Sequence, residues 1–99
     1  MKSEKRPDRS FRQLTSTRSH AVYRLAPGLL LVFKPRGHRE SEHAHPHRQR
    51  LRVLRGELVV RCGARRTTLR GGGRPLLLAA ARAHSTVAVR DTWLIAESL

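Results

Sequence analysis

Residues 37–56 read GHRESEHAHPHRQRLRVLRG, and at their centre HAHPH packs three histidines into five positions, 43 to 47. The chain has six histidines, so half of them stand here. Along a β-strand, residues i and i+2 share a face. On a strand, His43 and His45 therefore present two imidazoles side by side. Neutral imidazole is a good ligand for a first-row transition metal, so such a pair is half of a site. The tail end of the stretch, RLRVLRG, alternates charge and aliphatic. That pattern predicts a strand with Leu51 and Val53 turned inward with Gln49, and Arg48, Arg50 and Arg52 turned outward.

The same texture continues on both sides. From Ala21 onward, short apolar or alternating segments are punctuated by Gly and Pro: AVYRLAPG, LLLVFKPRG, ELVVRCG, TTLRGGG, PLLLAA, STVAV and TWLIAES. Recurrent short strands with frequent turn signals predict an all-β sandwich or barrel. The alanine-rich stretch 79–83 is short and lies between strand-like runs, so it is expected to be a loop. Gly71, Gly72 and Gly73 lead through Arg74-Pro75 into a strand, not through Lys-Ser/Thr into a helix. They therefore predict a loose turn rather than a phosphate-binding loop. Residues 1–20 are polar, with no sustained period, and are expected to form a flexible basic tail. Residues 21–99 are expected to form a single domain.

The wider spacing is more specific than the histidine pair alone. Gly37, His43, His45, Gln49 and Gly56 spell G-x5-H-x-H-x3-Q-x6-G. This resembles the first motif of the cupin family, G-x5-H-x-H-x3,4-E-x6-G, with Gln49 where the family usually has Glu. The second cupin motif, G-x5-P-x-G-x2-H-x3-N, is matched at Gly73 and His84. Its Pro, second Gly and Asn are here Ala79, Ala81 and Ala88. The resemblance covers residues 21–99. It implies a double-stranded β-helix, the jelly-roll cupin barrel. It also implies one divalent transition metal ion (Fe, Mn, Ni or Zn) held by His43, His45, Gln49 and His84. The run H-x-H-P-H-x-Q is similar to a subgroup containing small sugar-binding members and uronate-linearising enzymes, in which Gln replaces Glu as ligand. The family's glycine at position 81 permits a positive φ that Ala81 resists, so the loop before His84 is expected to differ. His47 shares the parity of His43 and His45, but Pro46 breaks the ladder, so it is expected at the barrel rim in contact with ligand or solvent. By the resemblance, Arg82 borders the mouth as an anion-contacting candidate. Cupins often dimerise, so a homodimer is expected.

Composition narrows the partners. The formal net charge is +14, from 21 basic and 7 acidic residues. Eighteen of the basic residues are Arg, and the chain is rich in Ala, Leu and Gly. That mix follows from GC-rich codons, so the charge is weak evidence for nucleic acid. It favours a small anionic ligand over a cationic one. Nucleic acid ranks third as a partner, since few aromatics stand among the arginines for base stacking. Cys62 is the only cysteine, which excludes an intrachain disulfide, and it is expected to act as a small apolar side chain. No apolar run is long enough to span a bilayer, and a cytoplasmic protein is expected.

Three further expectations concern single residues. His20 falls in the tail and His38, after a turn glycine, is expected to be exposed. Trp93 and Ile95 on the last strand are expected in the core or an intersheet contact. Glu40, Glu42 and Glu57 fall in turn-like segments, which leaves the barrel interior without a general base. Two functional readings stay open. One is a metal-dependent enzyme, an isomerase or dioxygenase-like cupin acting on a sugar acid or other carboxylate. The other is a non-catalytic binding or sensing module.

Overall fold

The computed structural model describes residues 19–99. The flexible tail expected over 1–20 therefore lies almost wholly outside the described residues. Among the described residues there are nine strands: β1 (Ala21–Ala26), β2 (Leu29–Lys34), β3 (Arg39–His43), β4 (Gln49–Arg55), β5 (Glu57–Cys62), β6 (Arg65–Arg70), β7 (Leu76–Leu78), β8 (His84–Ala88) and β9 (Thr92–Ser98). They pair antiparallel into a five-stranded sheet, β1-β2-β9-β4-β7, and a four-stranded sheet, β3-β8-β5-β6. Among the described residues no helix is long and apolar enough to cross a membrane.

The alternation seen in the sequence decides which side chains enter the core. On β4, Leu51 and Val53 are buried while Arg52 is exposed. On β5, Leu58 and Val60 face inward; on β9, Thr92, Leu94 and Ala96 do so. The two sheets bury one shared cluster, with Val32, Leu51, Val53, Leu78 and Leu94 from one sheet meeting Leu58, Val60, Leu69 and Ala88 from the other. Cys62 packs against this cluster as a partly buried apolar group.

Trp93 and Ile95 differ from expectation. Their inward neighbours Leu94 and Ala96 occupy the core, so period two turns Trp93 and Ile95 to the opposite face of the five-stranded sheet. Both are half-buried there, and the Trp93 ring lies 4.9 Å from that of Phe33, its cross-strand neighbour. The alanine-rich stretch is a loop with a turn at Ala80 and Ala81, and the three glycines form a turn between β6 and β7.

β3 has no counterpart in the apolar pattern. RESEH contains no aliphatic residue, and it is a strand because β8 pairs with it. The same pairing overturns the turn-like reading of Glu40 and Glu42, both of which lie on β3. Glu57 opens β5.

Candidate metal centre

His43 ends β3 and stands directly opposite His84, which opens β8. Farther along the pair, Glu40 faces Thr86. Three steps along β3 thus match two along β8, which is a β-bulge with one extra residue. The bulge has a chemical consequence. Strict alternation would turn Glu40 away from the face that carries His43, whereas the extra residue lets both line one cavity. His45 lies just beyond the end of β3. Its carbonyl accepts a 2.6 Å hydrogen bond from the Ala81 amide, which ties its backbone to the loop leading into His84. That loop keeps the turn the sequence put in doubt: Ala81 adopts φ +59°, the left-handed conformation that glycine takes more easily.

The three imidazoles converge. One ring nitrogen from each of His43, His45 and His84 lies within 4.8 Å of the others. Ring centroids are 4.4 Å apart for His43–His84, 4.9 Å for His43–His45 and 5.4 Å for His45–His84. His43 Nδ1 is 2.8 Å from the Ser41 carbonyl, and His84 Nδ1 is 3.3 Å from the Arg82 carbonyl. A carbonyl only accepts, so each Nδ1 carries the proton and each Nε2 keeps a free lone pair. Metal-ligating histidines are oriented in this way. His84 is buried; His43 and His45 are half-buried.

Electrostatics favour the ligating, neutral form of His45 and His84. Burial pushes the His84 pKa down, the hydrogen bond to Arg82 opposes it, and the charges of His43 and His45 lower it further. Burial likewise lowers His45, helped by His43 and His47 and opposed by Glu40. The donor set fits a first-row divalent ion, since bonds of about 2.1 Å place neighbouring ligand atoms roughly 3 Å apart, a modest contraction of this cluster.

Gln49 lines the same cavity, whose volume is about 140 Å³. Its walls are largely apolar, with Val22, Leu30, Val32, Leu51, Leu58 and Leu94 contributing. The other two sequence candidates stand elsewhere. The His47 ring is 5.7 Å from that of His45, and its Nε2 shares a 2.9 Å hydrogen bond with Ser98 Oγ. Arg82 is exposed, and it borders a separate groove with Cys62, Arg65 and Thr67. Only its backbone carbonyl reaches the histidine cluster.

Lys34 and Thr86 carry no expectation from the sequence, and Glu40, His20 and His38 stand differently from theirs. Lys34 Nζ donates to Glu40 Oε1 at 2.8 Å and to Thr86 Oγ1 at 3.4 Å, inside the cavity wall. Burial alone would raise the Glu40 pKa, but the hydrogen bond and charge of Lys34 outweigh it and hold the carboxyl below its ordinary value. A carboxylate therefore does line the cavity, with its outer side open to solvent. His20 lines the cavity and stacks on half-buried His38 at 4.3 Å, so neither is a bystander of tail or turn. Burial lowers the pKa of both rings. His38 and Lys34 lower His20 further, Lys34 lowers His38, and Glu40 opposes the shift in each. The available signal was Lys34 itself, a charge ending the otherwise apolar run LLLVFK.

No protein-family model matches the chain, and no curated protein matches it in sequence. Solved structures do. A cupin superfamily protein from Desulfitobacterium hafniense superposes with a TM-score of 0.71 at 16% identity, over 82% of this chain and 75% of that one. KdgF from Halomonas sp. gives 0.64 at 24% identity, over 80% and 76%. The cupin-2 domain of an XRE-family transcriptional regulator from Enterobacter cloacae gives 0.67 at 18% identity, over 80% and 94%. The fold is the cupin jelly roll.

Proposed function

We propose that this cupin-fold chain holds one divalent transition metal ion on His43, His45 and His84, with Gln49 as a further ligand, and uses it to bind a small anionic molecule such as a sugar acid or another carboxylate. The observation that carries this reading is the convergence of three imidazoles, two of which have Nδ1 engaged by a backbone carbonyl. A ligand set without a carboxylate leaves both positive charges of the ion uncompensated. Such a centre attracts an anionic ligand and polarises its carbonyl or hydroxyl group. The H-x-H-P-H-x-Q run supports a place in the sugar-acid subgroup. The excess of basic residues favours anions at longer range.

A non-catalytic, ligand-holding module is the second reading. The likeness to a regulator's cupin-2 domain, over 94% of that domain, supports it. Contact with nucleic acid is the third. Exposed Arg39, Arg52, Arg61 and Arg66 suit phosphate, and a steep loss of binding with added salt is its signature. A cytoplasmic homodimer completes the proposal, with oligomeric state read by light scattering.

The test is elemental analysis of protein purified without a histidine tag or chelator, beside the His43→Ala/His84→Ala double variant. Near-stoichiometric Fe, Mn, Ni or Zn that the variant loses is expected. A folded wild-type chain that takes up none of these ions, even when each is supplied, refutes the metal centre.

A further inference from the structure

The cavity wall contains a charged pair that ligating a metal does not require. The Lys34 side chain is only 5% exposed, and an ammonium so far out of water is costly unless paired. Its partner Glu40 is 40% exposed. The pair is therefore lopsided, with the ammonium sunk in the wall and the carboxylate opening outward. Lys34 engages Oε1 alone. Among the described residues Glu40 Oε2 has no hydrogen-bond partner.

Its position suits chemistry on a bound ligand rather than ligation of the ion. The cluster of possible ligand atoms within 4.8 Å comprises imidazoles alone, so Glu40 stands outside it. Glu40 nevertheless lines the same cavity as His43, His45, Gln49 and His84. It faces Thr86, two residues along β8 from His84. At ~3.3 Å per residue that offset is about 7 Å, the span of a small ligand. Leu30, Val32 and Leu94 line the same cavity and give it apolar surface against which a ligand can be held.

We propose that Glu40, anchored by Lys34, is the proton-transfer group of this cavity, acting on a small carbonyl-bearing acid. This rests on the metal-centred reading above and deepens it from binding to isomerase-type chemistry. Glu40 takes a proton from the ligand carbon beside the carbonyl. The C–H electron pair moves into the new C–C double bond, and the carbonyl pair moves onto oxygen, giving the enolate. Returning the proton to the same carbon exchanges it with solvent. In a hydroxy-carbonyl ligand, returning it to the former carbonyl carbon shifts the carbonyl along the chain, with the hydroxyl proton passing to the former carbonyl oxygen. No external oxidant or reductant enters.

The test uses the full chain loaded with Mn or Zn, incubated in deuterium oxide with pyruvate and with D-glucuronate as probes. Proton NMR follows exchange beside the carbonyl, elemental analysis follows metal content, and calorimetry follows probe binding. Wild-type exchange is expected to exceed that of buffer containing the same metal. Glu40→Gln is expected to lower it by about 10²-fold or more, with metal content and probe affinity retained. Glu40→Asp keeps a charge beside Lys34 and covers the case in which the amide variant does not fold; it too is expected to lose most of the rate. Undiminished exchange in a folded, metal-loaded Glu40 variant overturns the proposal, as does wild-type exchange no faster than buffer with both probes. Failure of the metal reading is seen separately, as a wild-type chain without metal. Exchange that persists in that chain and disappears in Glu40→Gln still supports Glu40.

Discussion

Replacing Ala81 by glycine should stabilise the protein, against the usual direction for an alanine-to-glycine change. Ala81 sits at φ +59° in the turn before His84, and its amide is tied to the His45 carbonyl at 2.6 Å. A left-handed residue with a Cβ costs about 1–2 kcal/mol. Glycine removes that strain but gives the unfolded chain more freedom, which costs roughly 0.4–1 kcal/mol. The difference is a net gain of about 0.5–1 kcal/mol. For a chain of this size that corresponds to a rise in Tm of roughly 2–8 °C. The assay is thermal unfolding followed by circular dichroism on metal-free protein. Ala80→Gly is the control: it is exposed in the same turn and lacks a positive φ, so only the unfolded-state effect applies and Tm should fall. If both variants lower Tm alike, Ala81 carries no strain and the reasoning fails.

Gly56→Ala should destabilise severely, by roughly 2–6 kcal/mol, because it combines backbone strain with overpacking. Gly56 has φ +105°, and a Cβ there would stand 2.7 Å from Thr92 Cα and collide with Asp91 O; urea unfolding measures the loss. Leu58→Ala, at a fully buried site between the sheets, should cost about 2–5 kcal/mol in the same assay. His84→Ala should abolish metal retention while His47→Ala leaves it intact, since only His84 belongs to the converging cluster; elemental analysis of the two variants decides. Metal-free protein should lose stability as pH falls. His20, His38, His45 and His84 all have pKa values below 6.5 in the folded state, so the unfolded chain binds more protons. Their contribution is complete above pH 6.5 and is lost as pH drops through the folded values. Glu40 acts in the same direction below its ordinary value of 4.5. Denaturant midpoints that stay flat from pH 7.5 to about 5 would contradict this.

Periodicity and punctuation in the sequence determined the strands whose inner faces are apolar. Leu51 and Val53 enter the core and Arg52 leaves it, as two-residue alternation requires. Two-residue alternation likewise paired His43 with His45, while Gln49 and His84 were marked out only by the resemblance to the cupin motifs. The tertiary structure alone decided the rest. β3 has no apolar face to read, and it is a strand only because β8 supplies its hydrogen bonds. The bulge between Glu40 and His43 breaks the alternation on which any sequence argument about facing depends. It brings a carboxylate into a cavity from which period two would have excluded it. Ala81 takes a positive φ in a turn whose amide is bonded to the His45 carbonyl, a partner thirty-six residues away. Lys34 looked like the polar end of a strand. It is an internal charge because Glu40 and Thr86, from β3 and β8, close around its ammonium. Local chemistry sets which elements form; long-range pairing sets where their exceptions point.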